Sequence, residues 1–339
     1  MGTPAPVFKR RSGGPGPGRH LRQRSNGMND PASGDTLRPL SGFWQPRYWP
    51  IWLALAGMRL LAFCPYRVQL AAGRLLGRLA GLVLRKRRHI AAVNLALCFP
   101  QLDAGQRDAL LRRHFESLGM TLVEHGLGWW ASTDTVERLV EVRGAEHLRA
   151  ALAGGRGVVL VAGHFASLEI TGRAFSALFP AVAALYRSSR NPFVDEILKR
   201  LRHKSVPLLI PKQNMRGMVR ALRQGIPVWY APDQSYRRAQ SALLPFCGEP
   251  AMTNTALSDI VRLGKAAVVP LLPRRLPGGQ GYVLEIFPAL EDFPGESAAA
   301  DALRVNALLE AQIRSIPEQY YWIHRRFKDR PAPLPDPYR

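Results

Sequence analysis

Six short apolar runs, bounded by Gly or Pro, follow one another between residues 158 and 287, and helix-length segments separate most of them. The runs are Val158–Ala162, Val182–Tyr186, Pro207–Ile210, Pro227–Ala231, Ala267–Leu272 and Tyr282–Phe287. Such alternation is typical of an α/β sheet with covering helices. Ahead of it, apolar residues recur every three to five positions over residues 104–130 and predict a helix. We therefore expect one α/β domain over residues 96–339.

The net charge limits the kinds of partner. Lys and Arg number 47 against 25 Asp and Glu, a formal charge of +22, while 47% of residues are hydrophobic. This composition excludes a chain disordered throughout and calls for an anionic partner: nucleic acid, an anionic membrane, an acidic protein or a phosphorylated substrate. Three cysteines (Cys64, Cys98, Cys247) form no disulfide framework or metal-ligand spacing, which is typical of a reducing, cytosol-facing compartment.

Residues 1–45 predict a disordered basic tail. The sequence up to residue 47 is rich in Pro, Gly and Ser and holds eight basic and two acidic residues. It offers too little apolar surface to fold. No cleavage site for a secretory signal follows the next apolar segment.

Residues 46–95 predict a membrane anchor built from two helices. The apolar run Tyr48–Pro65 begins with interfacial aromatics but is short for a span and contains Arg59, so a shallow or tilted pose is also open. The stretch Arg67–Arg88 places arginines on one helical face and leucines on much of the rest, as in a basic amphipathic helix lying on anionic lipid. A core helix with a solvated arginine stripe is the alternative.

The sequence RGVVLVAGHFASLEI, Arg156–Ile170, carries the candidate chemistry. An apolar strand ends before His164, and a helix starting near Ser167 would hold Glu169 in its first turn. The carboxyl end of a strand is the usual place for ligands in an α/β sheet. A carboxylate on one imidazole nitrogen would fix the tautomer and raise the basicity of the other, making His164 a general base. Alone, the pattern fits equally a structural histidine and an ordinary first-turn glutamate.

Nine short motifs, one of them within Arg156–Ile170, match a known family in order. They are PRYW at 46–49, NLALCFP at 94–100, GHFASLE at 163–169, YR and NP at 186–187 and 191–192, VWYAPDQSY at 228–236, PFCGEPAMT at 245–253, VPLLPRR at 269–275 and EQYYWIHRRFKDRP at 318–331. From about Arg47 to Arg339 the chain resembles the bacterial lipid A biosynthesis lauroyl and related late acyltransferases. The resemblance implies a single mixed-sheet acyltransferase domain flanked by helices, behind the N-terminal anchor.

The resemblance also implies an activity. A fatty acyl chain would pass from acyl carrier protein to a hydroxyl of an acyl chain on a Kdo-bearing lipid A precursor, with no metal or other cofactor. His164 would deprotonate the hydroxyl and Glu169 would orient His164. Candidates for substrate binding are Arg187, Arg202, Asp233, Arg325 and Arg326, although a turn or surface role is open for each of the first three. Pro250 and Thr253 are expected to begin and cap a helix.

The expected partners are acyl carrier protein, the lipid A precursor and anionic membrane lipid, at the bacterial inner membrane with the active site facing the cytoplasm. Nucleic acid is not expected, since helix-turn-helix, zinc-finger and RNA-binding signatures are absent from the sequence. Acylation of another glycolipid or of a lysophospholipid is the alternative, weakened because the FPEGTR-like segment of glycerophospholipid enzymes is missing.

Overall fold

The computed structural model describes residues 37–339. The strands are β1 Val140–Arg143, β2 Val158–Val161, β3 Ala183–Tyr186, β4 Leu208–Pro211, β5 Val228–Tyr230, β6 Ser241–Phe246, β7 Glu249–Asn254, β8 Ala267–Arg275 and β9 Tyr282–Ile286. The α-helices are α1 Trp49–Leu61, α2 Tyr66–Val83, α3 Arg85–Cys98, α4 Ala104–Trp130, α5 Thr133–Leu139, α6 Ala145–Ala153, α7 Leu168–Leu178, α8 Pro192–Arg202, α9 Met215–Arg223, α10 Ala256–Gly264 and α11 Ala298–Ser315.

Seven of these strands form a mixed sheet in the order β1-β9-β8-β2-β5-β3-β4. Every neighbouring pair is parallel except β8 and β9, which are antiparallel. All four residues of β2 are buried, because helices cover both faces of the sheet. The expected α/β domain with a mixed sheet and flanking helices is thereby confirmed.

The strand prediction holds for six of the nine described strands and misses β1, β6 and β7. The six apolar runs correspond to β2, β3, β4, β5, β8 and β9. The half-exposed edge strand β1 and the hairpin β6–β7 carry too many polar residues and prolines to form such runs. Pro250 and Thr253 were expected to start a helix, and this is wrong: both lie in β7, paired with Pro245 and Ala242 of β6, and α10 begins only at Ala256.

Helix α4 confirms the helix expected over residues 104–130. It begins at a capping box in which the Asp103 side chain accepts from the Gln106 backbone N–H (2.8 Å) and the Gln106 side chain accepts from the Asp103 N–H (3.0 Å). The helix packs against α7 and the 3-10 turn Pro317–Gln319, so its buried face supports the segment around the candidate site.

The N-terminal elements differ from the anchor that the sequence predicts. Residues 1–36 of the expected tail lie outside the described residues, and Leu40–Phe43 forms a short 3-10 helix whose Phe43 ring stacks on Phe193. The amphipathic stretch Arg67–Arg88 is divided between α2 and α3, because Leu84 adopts a non-helical conformation (φ −86°, ψ 57°). Among residues 37–339, no helix is both long and apolar enough to cross a bilayer.

Glycines bring α2 into backbone contact with α4. A Cβ on Gly77 would lie 2.1 Å from the Phe115 carbonyl oxygen, and one on Gly119 would lie 2.0 Å from the Gly73 carbonyl oxygen. Only glycine permits so close an approach at these positions. The opposite side of α2 leaves apolar side chains exposed beside its arginines: Leu75, Leu76, Leu79, Leu82 and Val83.

Candidate active site

The imidazole of His164 is bound to the carboxylate of Asp233. His164 follows β2 and Asp233 follows β5, and these strands are parallel neighbours, so their carboxyl ends lie side by side. Asp233 accepts two hydrogen bonds from the same residue: Oδ2 from the His164 backbone N–H (2.8 Å) and Oδ1 from Nδ1 (2.5 Å). Backbone and ring are thereby held together by one carboxylate, which fixes the orientation of the imidazole.

The charges of this pair shift both pKa values. Burial would raise the pKa of Asp233, but the charge and hydrogen bonds of His164, with a hydrogen bond from Tyr320, lower it to about 2. Burial would lower the pKa of His164, but the Asp233 carboxylate raises it above its usual value. An ionised Asp233 can only accept, so Nδ1 carries the proton and Nε2 of the neutral ring keeps a free lone pair.

The two partners differ in access. The Asp233 side chain is 1% exposed, whereas that of His164 is 35% exposed. Both border one small cleft whose other walls include Tyr321, His324 and Arg326. A buried carboxylate behind a partly exposed imidazole is the arrangement that presents one basic nitrogen to a substrate.

The segment from Glu318 to Pro331 forms one wall of this cleft. The Tyr321 N–H donates to the His164 carbonyl (2.9 Å), and the Ala166 N–H donates to the Gln319 carbonyl (2.8 Å). Nδ2 of Asn94, in α3, donates to the carbonyls of Trp322 (2.6 Å) and His324 (2.7 Å). Two motifs more than 220 residues apart, NLALCFP and YYWIHRRF, are therefore in direct contact at the site.

His324 stays neutral in this wall. Burial, together with the positive charge of Lys328, lowers its pKa to about 4. Its Nε2 accepts from the Ser235 backbone N–H at 3.3 Å, which ties the wall to the loop that carries Asp233. No sequence pattern predicts this role, because His324 approaches the loop only in the folded chain.

Glu169 has a different partner from the one expected. Its Oε1 accepts from Arg202 of α8 through Nε (2.8 Å) and Nη2 (2.6 Å), and its Oε2 accepts from Nε1 of Trp129 (3.4 Å). Burial opposes ionisation, but the Arg202 charge and these hydrogen bonds lower the pKa of Glu169. Among the described contacts, neither side chain of the expected His164–Glu169 pair reaches the other. Asp233 is the carboxylate that contacts the His164 ring, and Arg202, expected to bind substrate, is paired with Glu169.

Ser167 fixes the middle of the segment Gly163–Glu169 between β2 and α7. Its φ of 70° lies in the left-handed region, and its hydroxyl donates to Oε2 of Glu124 in α4 (3.3 Å). Oε1 of Glu124 is paired with Arg275 at the end of β8, and these side chains are 1% and 6% exposed. The backbone of Arg275 is bound on both sides by the Gln319 side chain (2.8 and 2.9 Å). A buried ion pair thus lies directly beneath the candidate site.

The remaining expected residues have diverse surroundings. Arg187 follows β3 and is exposed at the same edge of the sheet as His164. Arg325 is paired with Asp336 (2.7 Å). Arg326 is 1% exposed and donates to the Met252 carbonyl and the Thr253 hydroxyl (both 3.0 Å). Both arginines of the expected basic patch therefore have protein partners, Arg325 in the C-terminal segment and Arg326 in the hairpin β6–β7.

Comparisons with known proteins agree with these motifs. The family model described as bacterial lipid A biosynthesis acyltransferase matches residues 41–329. The chain is 38% identical over 294 residues to the lipid A biosynthesis lauroyltransferase of Escherichia coli K12, covering 86% of this chain and 96% of that protein. It is 39% identical over 291 residues to the palmitoleoyltransferase of the same strain, covering 86% and 94%.

One solved structure is a more distant match. The 1-acyl-sn-glycerophosphate acyltransferase PlsC of Thermotoga maritima aligns with a TM-score of 0.35 at 12% identity, covering 70% of this chain and 98% of that one. At this TM-score the likeness carries no argument about the chain.

Proposed function

Because the chain belongs to the bacterial lipid A biosynthesis acyltransferase family, it is an acyltransferase with a lipid A-type acceptor, and we propose the finer identity of both substrates. The proposed donor is acyl carrier protein, and the proposed acceptor is a Kdo-bearing lipid A precursor. The acyl chain is moved to a hydroxyl of an acyl chain already present on the acceptor. The observation that carries the chemistry is the hydrogen bond between the partly exposed imidazole of His164 and the buried, ionised carboxylate of Asp233.

The first step is removal of the hydroxyl proton. Nε2 of neutral His164 takes this proton while Asp233 stabilises the imidazolium through Nδ1. A positioned base of this kind contributes about 10²–10⁴-fold to the rate. The raised pKa of His164 strengthens the base, and it also means that the base is protonated and inactive at low pH.

The second step forms the ester. The hydroxyl oxygen attacks the carbonyl carbon of the donor thioester, the C–O bond forms and the C–S bond breaks. The departing thiolate takes the proton from the His164 imidazolium, so the histidine returns to its neutral form. Holding hydroxyl and thioester together beside His164 supplies several kcal/mol, about 7–11 kcal/mol at best, through effective molarity.

Glu169 is proposed to act as a positioning residue of the site. Its carboxylate holds Arg202, and this pair joins the start of α7 to the end of α8 close to the base. Arg187 is proposed to contact the acceptor directly, because it is exposed at the strand edge that carries His164.

The N-terminal helices are proposed to lie on the inner membrane surface, with the cleft on the cytoplasmic side. Exposed leucines of α2 alternate with exposed arginines, a surface suited to insertion among anionic headgroups without a span. Replacing Leu75, Leu79 and Leu82 together by Gln is expected to lower binding to anionic vesicles at least tenfold. Unchanged binding by a folded triple variant would contradict this placement.

The function is tested with His164→Asn, using acyl carrier protein loaded with a fatty acyl chain and a Kdo-bearing acceptor. We expect wild type to transfer the chain and the variant to lose at least 10³-fold in kcat. His89→Asn, on the exposed face of α3, is the matched control and should keep full activity. Wild-type turnover by His164→Asn would refute the mechanism. A wild-type protein that transfers no acyl chain would refute the proposed donor and acceptor.

A further inference from the structure

Four polar residues lie in a row at the carboxyl ends of four neighbouring strands. Strands β2, β5, β3 and β4 are adjacent and mutually parallel, so their carboxyl ends form one line. His164 follows β2, Asp233 follows β5, Arg187 follows β3 and Lys212 follows β4. The base and its carboxylate thus stand at one end of this line, and two cations stand at the other.

The two cations are held side by side by the register of their strands. Tyr186, the last residue of β3, pairs with Pro211, the last residue of β4. The next residue, Lys212, donates its backbone N–H to the Tyr186 carbonyl at 2.8 Å. Arg187 and Lys212 therefore begin from neighbouring backbone positions, and both residues are exposed.

Arg187 and Lys212 form no ion pair with the part of the chain that the structure describes. Burial lowers the pKa of Lys212, and the positive charges of Arg187, Arg238 and Lys328 lower it further, with only Asp233 acting in the opposite sense. Concentrating like charges beside a catalytic cleft costs free energy unless an anion is bound there.

We propose that Arg187 and Lys212 form a subsite for a phosphate monoester of the lipid A-type acceptor. This rests on the proposed function, which supplies a phosphorylated disaccharide. Arg suits bidentate contact with phosphate, and Lys adds a point charge. A monoester carries nearly two negative charges and is therefore favoured over a phosphodiester of the donor. The subsite begins two strands, or roughly 10 Å, from the strand of the base, so it fixes the sugar while the acyl hydroxyl reaches Nε2 of His164.

The test compares Arg187→Gln, Lys212→Gln and the double variant on three acceptors: one with both sugar phosphates and two lacking one phosphate each. On the full acceptor, we expect each single variant to raise the acceptor KM about tenfold with a smaller change in kcat. On the acceptor lacking the recognised phosphate, wild type should show the same raised KM, and the substitutions should add little. Raising the salt concentration should weaken the wild type more than the double variant.

Arg156→Gln is the matched control, since Arg156 is an exposed arginine at the amino end of β2, opposite the strand ends that carry His164 and Arg187. It should leave every KM unchanged. Equal losses on all three acceptors would overturn the proposal, and so would a rise confined to the KM for acyl carrier protein, which would assign the anion to the donor. If wild type acylates the acceptor and the variants have normal KM values, the subsite is refuted while the proposed function stands.

Discussion

The two ends of the segment Gly163–Glu169 perform different electrostatic tasks. At its beginning, His164 is a partly exposed ring against the buried Asp233, with one nitrogen left for a substrate. At its end, Glu169 is a mostly buried carboxylate bound by Arg202 and Trp129, with little left to offer. A histidine and a glutamate five positions apart need not form one catalytic pair, because the turn between them directs one toward β5 and the other toward α8.

The largest effect is expected from Asp233→Asn. The amide can donate to Nδ1 as well as accept, so the tautomer with a free Nε2 lone pair is no longer enforced, and kcat should fall about 10³-fold or more. Because Asp233 raises the pKa of His164, the acid limb of the pH–rate profile should move to lower pH in the residual activity. Single-turnover measurements across pH would check both effects, and an unmoved limb would contradict the pairing.

A large loss of stability is expected from Arg275→Met. It leaves the Glu124 carboxylate buried without its cation, which costs about 3–5 kcal/mol in free energy of unfolding. The double variant Arg275→Met with Glu124→Leu should recover much of that loss, since no charge is then left unpaired. Urea unfolding measures both, and a double variant no more stable than the single one would show that the pair does not act as a unit.

A smaller effect is expected from Glu169→Gln. The amide still accepts from Arg202 but carries no charge, so kcat/KM should fall about 10- to 100-fold through loss of position. The acid limb of the pH–rate profile should stay where it is in wild type, since Glu169 is not among the groups that set the pKa of His164. A limb displaced as in Asp233→Asn would erase the difference between the two ends of the segment.

The smallest effect distinguishes two substitutions at Ser167. Both Ser167→Ala and Ser167→Gly lose the hydrogen bond to Glu124, but only glycine adopts a φ of 70° without steric strain. The glycine variant should therefore be more stable than the alanine variant by about 1 kcal/mol. Thermal unfolding of the two gives the difference, and the reverse order would mean that the turn relaxes out of the left-handed region.

Local patterns identified six of the strands and helix α4, because these depend on runs of apolar residues, and they placed His164 at the end of a strand. The partner of His164 could not be found in this way. Asp233 lies 69 positions away and reaches the ring only because β5 is the spatial neighbour of β2, and sequence order does not state strand order. The contacts of Arg326 could not be predicted for a similar reason, since its hairpin partners lie 73 and 74 positions away.

The glycine contact between α2 and α4 has a mechanical consequence. Backbones that touch at Gly73, Gly77 and Gly119 leave no layer of side chains between the helices that could yield under load. Helix α4 also carries Glu124 and Trp129, which contact Ser167 and Glu169. If α2 lies on a lipid surface, the rigid α2–α4 contact sets the height and tilt of the cleft above that surface. The enzyme would then meet its acceptor at one depth.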